Sequence, residues 1–258
     1  MSVTPIRVAI AGARGRMGTE AVKAVSGAED MVLVATLTRD DNITETLKSA
    51  KPDVLVELTT PESVMTNIRA ALQQRVTPIV GTTGITDDDL EEIRTLCAAQ
   101  ETGCLIAPNF ALGAVLLMQF AATAARYLPD VEIIEMHHER KKDAPSGTAA
   151  RTAEMIAVAR EGTPIAPPAD AFESCAGARG GRAAGDIPIH SIRLPGFVAS
   201  QEVIFGGQGQ RLSLRHDSID RLSFMPGTLL AIRRASALQG LVIGLETVSY
   251  THLRAHET

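Results

Sequence analysis

The sequence has 258 residues, of which 45% are hydrophobic and 21% are charged, and its formal net charge is −5. This composition is typical of a globular protein with one large domain or two modest ones. The negative charge excludes an extended basic face, so we expect no nucleic-acid partner and only small anionic ligands. Cys97, Cys104 and Cys175 form no C-x-x-C pair, which favours reduced thiols over disulfides or a zinc site.

The N-terminal region lacks the apolar stretch and small-residue cleavage site of a signal peptide. The most apolar segment, Phe110 to Ala125, is shorter than the roughly 20 residues that a membrane helix needs, and it contains Gln119. We therefore expect a cytoplasmic protein without a membrane partner.

A glycine-rich loop follows the first predicted strand, Ile6 to Ala11. The loop reads Gly12-Ala13-Arg14-Gly15-Arg16-Met17-Gly18, and a helix is predicted from Thr19 to Ser26. This order is typical of dinucleotide binding, because glycines let the backbone approach a pyrophosphate at a helix N-terminus. The spacing is G-x-x-G-x-x-G rather than G-x-G-x-x-G, so a glycine-rich turn between packed elements is the alternative interpretation.

The second predicted strand, Met31 to Leu37, ends where a carboxylate would bind the adenosine ribose of NAD. The residues here are Thr38-Arg39-Asp40-Asp41. A threonine followed by Arg39 suits a 2′-phosphate, because a guanidinium pairs well with phosphate oxygens. Asp40 or Asp41 would still reach a free ribose hydroxyl. The sequence thus favours NADPH over NADH, and a solvated loop charge is the alternative for Arg39.

Apolar strands and amphipathic helices continue to alternate up to residue 107. Five strands separated by four helices predict a Rossmann-like, doubly wound parallel sheet. The further elements named by the pattern are strands at Val54–Leu58, Pro78–Val80 and Leu105–Ala107 and helices at Glu62–Gln74 and Asp87–Gln100. Ligands of such sheets bind beyond the carboxyl ends of the strands. The loops Thr59-Thr60-Pro61 and Gly81-Thr82-Thr83-Gly84 stand there and suit either a flat ring or ordinary turn chemistry.

The pattern changes after Ala107-Pro108-Asn109-Phe110, where a second, α+β domain is predicted. Its elements are helices at Ala111–Arg126 and Gly147–Arg160 and strands at Val131–Met136, Ile187–Leu194, Val198–Phe205 and Arg211–Arg215, with Thr163–Gly185 as a loop or lid. A helix from Pro226 to Ala237 returns to the first domain. We therefore assign residues 1–109 and 217–246 to a dinucleotide-binding domain and 110–216 to a substrate-binding and oligomerisation domain. Residues 247–258 are expected to be a disordered or non-native tail.

The segment from Glu135 to Ala149 reads E-M-H-H-E-R-K-K-D-A-P-S-G-T-A. Ser146 is a natural N-cap for the following alanine-rich helix, and the N–H groups of Gly147 and Thr148 would bind an anion. A histidine supplies a proton near neutral pH, and a lysine complements carboxylates. A metal site is not expected, because adjacent strand residues point to opposite faces. A structural histidine and a solvated basic run remain the alternatives.

The motif E-x-H-H-x-x-K-x-D-x-P-S-G-T-A resembles the signature of the 4-hydroxy-tetrahydrodipicolinate reductase family, also called dihydrodipicolinate reductases. The resemblance runs from about Ile6 to Glu246 and includes the Gly12–Gly18, Gly81–Gly84 and Ala107–Phe110 segments. The chain departs from the family at Glu57-Leu58, where Asp-Phe is frequent, and at Thr38, where an acidic residue is common.

The resemblance implies an NAD(P)H-dependent enzyme of diaminopimelate and lysine biosynthesis, usually a homotetramer, that reduces a cyclic imine dicarboxylate to tetrahydrodipicolinate. Matching motif positions make His137 the general acid and Lys141 a second catalytic cation. His138, Ser146, Gly147 and Thr148 would bind the substrate carboxylates. Residues that would hold the cofactor are Gly12, Gly15, Arg16, Met17, Gly18, Arg39, Gly81, Thr82, Thr83, Ala107, Asn109 and Phe110. A Rossmann reductase of another imino or amino dicarboxylate, or a non-catalytic dinucleotide sensor, remains the alternative.

Overall fold

The structure, a computed structural model, describes residues 4–167 and 169–249. The chain forms two compact units, a first unit made of the residues up to Ala111 and from Arg221 onward, and a second unit from Leu112 to Asp220. The boundaries expected from the sequence, at residues 109–110 and 216–217, lie a few residues away from these.

The first unit contains a six-stranded parallel sheet. Its strands are β1 (Ile6–Ala11), β2 (Met31–Leu37), β3 (Val54–Glu57), β4 (Thr77–Val80), β5 (Cys104–Ile106) and β11 (Leu241–Ile243). Its helices are α1 (Arg16–Ser26), α2 (Ile43–Ala50), α3 (Pro61–Gln73), α4 (Asp87–Gln100), α7 (Met225–Arg234) and α8 (Glu246–Ser249). The spatial order is β11-β5-β4-β3-β1-β2, and all neighbours are parallel.

The central strands of this sheet are buried on both faces. Every residue of β3, β4 and β5 is buried, as expected for parallel strands covered by helices on two sides. Leu47 of α2 and Ala71 of α3 pack in a cluster with Leu55, while α4 contributes Ile93 and Cys97 to another. The Rossmann-like prediction is confirmed, but the sheet has six strands rather than five, because β11 pairs with β5.

The end of the first unit differs from the prediction of a tail beginning at residue 247. Residues 247–249 continue the short helix α8, and the Val248 side chain is buried. The Thr247 hydroxyl also donates to the carbonyl oxygen of Gly244 at 2.7 Å. Residues 247–249, which the sequence analysis placed in the tail, are thus helical in the structure. The rest of the predicted tail, 250–258, lies outside the described residues.

The second unit contains a mixed five-stranded sheet covered by two helices. The strands are β6 (Asp130–His137), β7 (Gly181–Arg182), β8 (Pro188–Arg193), β9 (Ala199–Gly207) and β10 (Gln210–Ser218), and the helices are α5 (Leu112–Ala125) and α6 (Gly147–Ala159). The order is β10-β9-β6-β8-β7, in which β6 runs parallel to β8 and antiparallel to β9. The predicted second, α+β domain is confirmed.

The core of the second unit lies between the helices and one face of the sheet. Ile133 and Phe205 from the sheet pack with Leu117 of α5 and Ile156 of α6. The segment predicted as a loop or lid, Thr163–Gly185, is not entirely irregular, because β7 pairs with β8 and a 3₁₀ turn spans Ala184–Asp186. Across residues 4–167 and 169–249, every helix is too short or too polar to cross a membrane.

Candidate active site

Strand β6 carries Glu135 and His137 to the end of the second unit's sheet. Alternate residues of a strand share a face, so both side chains belong to the face that buries Val131 and Ile133. The inward-facing positions therefore change from apolar residues to a carboxylate and an imidazole. Glu135 is completely buried, whereas the His137 side chain is 14% exposed. The strand thus delivers a shielded acid and a partly accessible histidine to one edge.

The Glu135 carboxylate is the centre of a hydrogen-bond network. His137 Nδ1 lies 2.5 Å from Oε2. The Arg193 guanidinium donates to Oε2 at 2.8 Å and to Oε1 at 2.7 Å. The backbone N–H of Ser146 donates to Oε1 at 3.2 Å. A buried carboxylate is tolerated only when it is paired and hydrogen-bonded, and here each oxygen has at least two donors.

The protonation state of Glu135 follows from the same contacts. Burial by itself raises the pKa of Glu135, but hydrogen bonds from His137, Arg193 and Ser191 outweigh it and lower the pKa from 4.5 to about 2. The group is therefore a carboxylate at neutral pH. Because a carboxylate can only accept, the Nδ1 atom of His137 is the donor of their hydrogen bond.

The predicted N-cap at Ser146 is present. The Ser146 side chain accepts from Ala149 N at 3.2 Å, and α6 begins at Gly147. Gly147 is exposed, and its N–H has no hydrogen-bond partner in the part of the chain that the structure describes. The helix start is thus buried on the Glu135 side and open on the other. Thr148, next along the helix, is half-buried.

Lys141 lies in the turn between His137 and α6. Its Nζ atom donates to both carboxylate oxygens of Asp143, at 2.8 and 2.7 Å, and its side chain is 21% exposed. His138, the first residue after β6, accepts from the backbone N–H of Arg140 at 3.2 Å. His137, His138, Lys141 and Ser146 lie within ten residues of the chain. The Lys141 ammonium is paired with Asp143.

The glycine loop of the first unit forms a tight turn after β1. Gly12 has a φ of +79°, and its carbonyl oxygen accepts from Gly15 N at 2.8 Å. A Cβ atom on Gly18 would lie 2.0 Å from that oxygen, so the loop and α1 are in backbone contact. The first turn of α1 carries Arg16 and no acidic side chain. These features suit a diphosphate at the helix N-terminus.

A cleft of about 1180 Å³ extends from this loop along the ends of β1, β2 and β3. It is lined by Gly12 and Gly15 of the loop and by Arg39 after β2. Arg14 also lines the cleft, although the sequence did not single it out. The Asp41 carboxylate is bound to the backbone and hydroxyl of Thr38 at 2.7 and 2.8 Å. Those hydrogen bonds lower the pKa of Asp41. The Asp41 side chain therefore stabilises the turn that begins at Thr38.

The remaining predicted cofactor residues lie near the ends of β4 and β5. Thr82 is buried, and its hydroxyl contacts the fully buried Glu57 and accepts from Thr59 N at 2.9 Å. Thr83 is exposed, so it is the threonine of this loop that faces solvent. Gly81 lies between the side chains of Leu58 and Phe110. Ala107 and Phe110 are buried, and the Asn109 side chain accepts from Ala111 N at 2.8 Å. Met17 is half-buried at the start of α1.

Comparison with known proteins decides the family. A family model described as dihydrodipicolinate reductase, N-terminus, matches residues 6–110, and one described as dihydrodipicolinate reductase, C-terminus, matches residues 113–248. The chain belongs to the dihydrodipicolinate reductase family. Membership confirms the resemblance found in the sequence, the enzyme class of NAD(P)H-dependent oxidoreductase and the role in diaminopimelate and lysine biosynthesis.

Several relatives are similar over almost the whole chain. The 4-hydroxy-tetrahydrodipicolinate reductase of Streptomyces griseus subsp. griseus is 51% identical, over 95% of this chain and 98% of that protein. The same enzyme of Lysinibacillus sphaericus is 48% identical, over 94% of this chain and 99% of that protein. A structure of dipicolinate-bound dihydrodipicolinate reductase from Paenisporosarcina sp. TG-14 is 46% identical, with a TM-score of 0.83, and covers 95% of this chain and 99% of that chain.

Arg193 is the residue at this site that the sequence analysis missed. It lies 58 positions after Glu135 and reaches it because β6 and β8 are parallel, with His137 and Arg193 in register. One available signal was an arginine at the predicted end of the strand Ile187–Leu194, next to the turn Pro195-Gly196. Glu135, to which the sequence analysis assigned no role, accepts hydrogen bonds from His137, Arg193 and Ser146.

Proposed function

We propose that this chain reduces 4-hydroxy-tetrahydrodipicolinate, by way of dihydrodipicolinate, to tetrahydrodipicolinate, with His137 as the general acid. The observation that carries the proposal is the hydrogen bond from His137 Nδ1 to the buried, ionised Glu135, beside the capped N-terminus of α6. This arrangement puts a proton donor next to an anion-binding helix start. The names of the relatives supply the substrate.

The chemistry needs one proton donor and two carboxylate sites. The nicotinamide cofactor supplies a hydride to the conjugated imine when bound. The ring then carries an extra electron pair, which His137 neutralises by donating the proton on Nε2, and solvent later returns that proton to the imidazole. A histidine suits this step because its two protonation states are both accessible near neutral pH.

The carboxylates of the substrate are assigned to the α6 start and the turn before it. Gly147 and Thr148 contribute backbone N–H groups at the positive end of the helix dipole. Lys141 contributes a cation, which its pairing with Asp143 keeps in place but also partly neutralises. His138 completes the proposed set. Each charge-assisted contact of this kind is worth about 1.5–3 kcal/mol.

NADPH is proposed as the preferred cofactor. Arg39 and Arg14 both line the cleft at the end of β2, where the adenosine ribose binds in Rossmann folds. Of the two carboxylates that could bind a free ribose, Asp40 and Asp41, the second already accepts hydrogen bonds from Thr38. The glycine loop and the Gly81–Thr83, Ala107, Asn109 and Phe110 positions are proposed to hold the diphosphate and nicotinamide ends.

A homotetramer is part of the proposal. Both helices of the second unit pack on the sheet face that carries Ile133 and Val203. Ile134 and Ile204 alternate with these residues and point to the other face, where they are only partly buried. A sheet face of this kind is suited to pairing with further copies of the chain. A cytoplasmic location, where reduced thiols persist, completes the proposal.

The test is steady-state turnover with freshly generated substrate and either NADPH or NADH. We expect oxidation of both cofactors, with the higher kcat/KM for NADPH, and a tetrameric mass by sedimentation equilibrium. Tight NADPH binding without turnover would instead favour a dinucleotide sensor. Turnover only with a different imino dicarboxylate would show that the proposed substrate is wrong, while the proposed active-site residues would still stand.

A further inference from the structure

Arg193 and Glu135 form a bidentate ion pair across the parallel β6–β8 pair. The two guanidinium nitrogens approach the two carboxylate oxygens at 2.8 and 2.7 Å. Glu135 is fully buried and the Arg193 side chain is 18% exposed. Such parallel contacts fix both the distance and the plane of the carboxylate. Its orientation is therefore set from β8, not from the histidine strand alone.

The oriented carboxylate determines which ring nitrogen of His137 exchanges a proton. Its Oε2 atom lies 2.5 Å from Nδ1, and an ionised carboxylate has no proton to offer. Nδ1 must therefore carry hydrogen whether the imidazole is neutral or charged. The nitrogen left for proton transfer is Nε2. Without this contact the neutral ring would populate the other tautomer, in which Nε2 cannot be the acceptor during reprotonation.

The same guanidinium also holds the turn that leads to α6. Its Nη2 atom donates to the backbone carbonyl oxygen of Asp143 at 2.7 Å, and its Nη1 atom donates to that of Ile192 at 2.8 Å. Glu135 Oε1 in turn accepts from the Ser146 backbone N–H. The proton donor and the proposed carboxylate-binding helix start therefore share one support, the Arg193–Glu135 pair.

The other cation of the motif near this pair, Lys141, is bound to a different carboxylate. Lys141 pairs with Asp143 through both carboxylate oxygens. Among the described residues, Arg193 is thus the cation in direct contact with Glu135, and the His137 ring is its other charged or chargeable partner. A change at Arg193 consequently acts on the carboxylate first and on the histidine through it.

We propose that Arg193 and Glu135 are positioning residues for the reduction: they hold His137 as the Nδ1–H form with Nε2 facing the substrate, and they hold the start of α6 at a fixed distance from it. The inference deepens the proposed function and rests on it for the identity of the reacting molecule. The tautomer and the shared support do not depend on that identity.

The first test compares Glu135→Gln and Arg193→Lys with a matched control. An amide at position 135 replaces one acceptor oxygen by an NH₂ group, which is a donor. In either orientation this NH₂ group would face two other donors: a guanidinium N–H, and either His137 Nδ1–H or Ser146 N–H. We expect kcat to fall by about a hundredfold or more, since a similar loss of tautomer control in serine proteases costs about 10⁴-fold. Arg193→Lys loses the bidentate geometry, and we expect a fall in kcat of about 10- to 100-fold.

The control is Arg69→Lys, which disrupts a comparable bidentate pair with Glu92 on α3 and α4 of the first unit, at 2.5 and 2.7 Å. Its turnover should match that of the wild type. The KM for NADPH should stay within about twofold in Glu135→Gln and Arg193→Lys, because a specific loss in kcat separates positioning from general damage. The alkaline limb of the kcat profile, where a general acid loses its proton, should also move to lower pH in Glu135→Gln, because the counter-charge of the imidazolium is removed.

The second test measures the tautomer directly in the full-length wild-type protein. Nitrogen-15 chemical shifts of His137, assigned by comparison with His137→Gln, should show the Nδ1–H form above the pKa of the ring. A predominant Nε2–H form, or wild-type kcat and pH profile in a folded Glu135→Gln or Arg193→Lys protein, would overturn the inference. Lack of wild-type turnover with the substrate would overturn the proposed function alone, and the nitrogen spectra would then decide the positioning. They also decide it if Glu135→Gln does not fold.

Discussion

Gly18 approaches Gly12 so closely that a Cβ atom at position 18 would lie 2.0 Å from the Gly12 carbonyl oxygen. The Gly12 oxygen belongs to the backbone and a Cβ is fixed by the backbone, so neither atom can rotate away. The contact ties the start of α1 to the loop that follows β1. It therefore fixes the position of the helix N-terminus at which the proposed diphosphate binds.

Gly18→Ala should push the loop and the start of α1 apart, and should thereby weaken both the fold and cofactor binding. Overpacking of this kind costs about 1–3 kcal/mol of unfolding free energy, and we expect a weaker NADPH affinity by about tenfold, equivalent to 1.4 kcal/mol. Urea denaturation and fluorescence titration measure the two effects. The control is Gly27→Ala at the other end of α1, where a Cβ would lie 3.4 Å from Lys23 O. Equal behaviour of the two variants would refute the close-contact argument.

His137→Gln should abolish proton donation and leave the nucleotide unit intact. General acid catalysis contributes about 10²–10⁴-fold, so we expect kcat to fall by that range. The Kd for NADPH should not change, because His137 lies in the second unit. His190→Gln is the matched control, since His190 also contacts a carboxylate, Glu132, at 2.9 Å. A wild-type kcat in His137→Gln would remove the acid role.

Asp143→Asn should strengthen substrate binding by releasing Lys141. The Lys141 ammonium lies 2.7 and 2.8 Å from the Asp143 oxygens, so the acid offsets its charge. Exposed ion pairs are worth about 0.2–1 kcal/mol, and we expect KM for the dicarboxylate to fall by about two- to fivefold at low salt. Lys141→Met should raise KM instead. Opposite signs are required, and a rise in KM for both variants would contradict the assignment.

Arg39→Ala should reduce the preference for NADPH. A lost guanidinium–phosphate contact costs about 1.5–3 kcal/mol, so we expect Kd for NADPH to rise by about ten- to a hundredfold, with little change for NADH. Isothermal titration with both cofactors measures the ratio. Arg94→Ala, which removes a guanidinium paired with Glu91 on α4, is the control. Equal losses for NADPH and NADH would place Arg39 outside the 2′-phosphate site.

Acid should destabilise the second unit through Glu135. Its pKa is lowered from 4.5 to about 2 in the folded protein, despite the opposing effect of burial. A depressed acid pKa stabilises the fold above the unfolded value, and this contribution is lost as pH falls from 4.5 towards 2. The free energy of unfolding should therefore decrease over that window by on the order of 2–3 kcal/mol more in the wild type than in Glu135→Gln. Parallel pH dependences would contradict the shift.

Features that depend only on neighbouring residues could be predicted from the sequence. The alternation in β6 and the Ser146 cap follow from residues next to one another, and both are present in the structure. Arg193 was not predictable from such patterns, because its contact with Glu135 depends on the pairing of β6 with β8 across 58 residues. Register between distant strands is set by the whole sheet. Strand β11 was missed for a related reason, since its three residues are only partly buried and show no period.

The position of β11 has a consequence for how the protein is made. This strand completes the parallel sheet by pairing with β5, yet the entire second unit lies between them in the chain. During translation the edge of β5 therefore stays unpaired until residues 241–243 leave the ribosome, whereas the second unit is continuous and available to fold earlier. An open strand edge can pair with other chains. Stalled or truncated products that lack β11 are accordingly expected to aggregate, because β11 covers the β5 edge of the first unit's sheet.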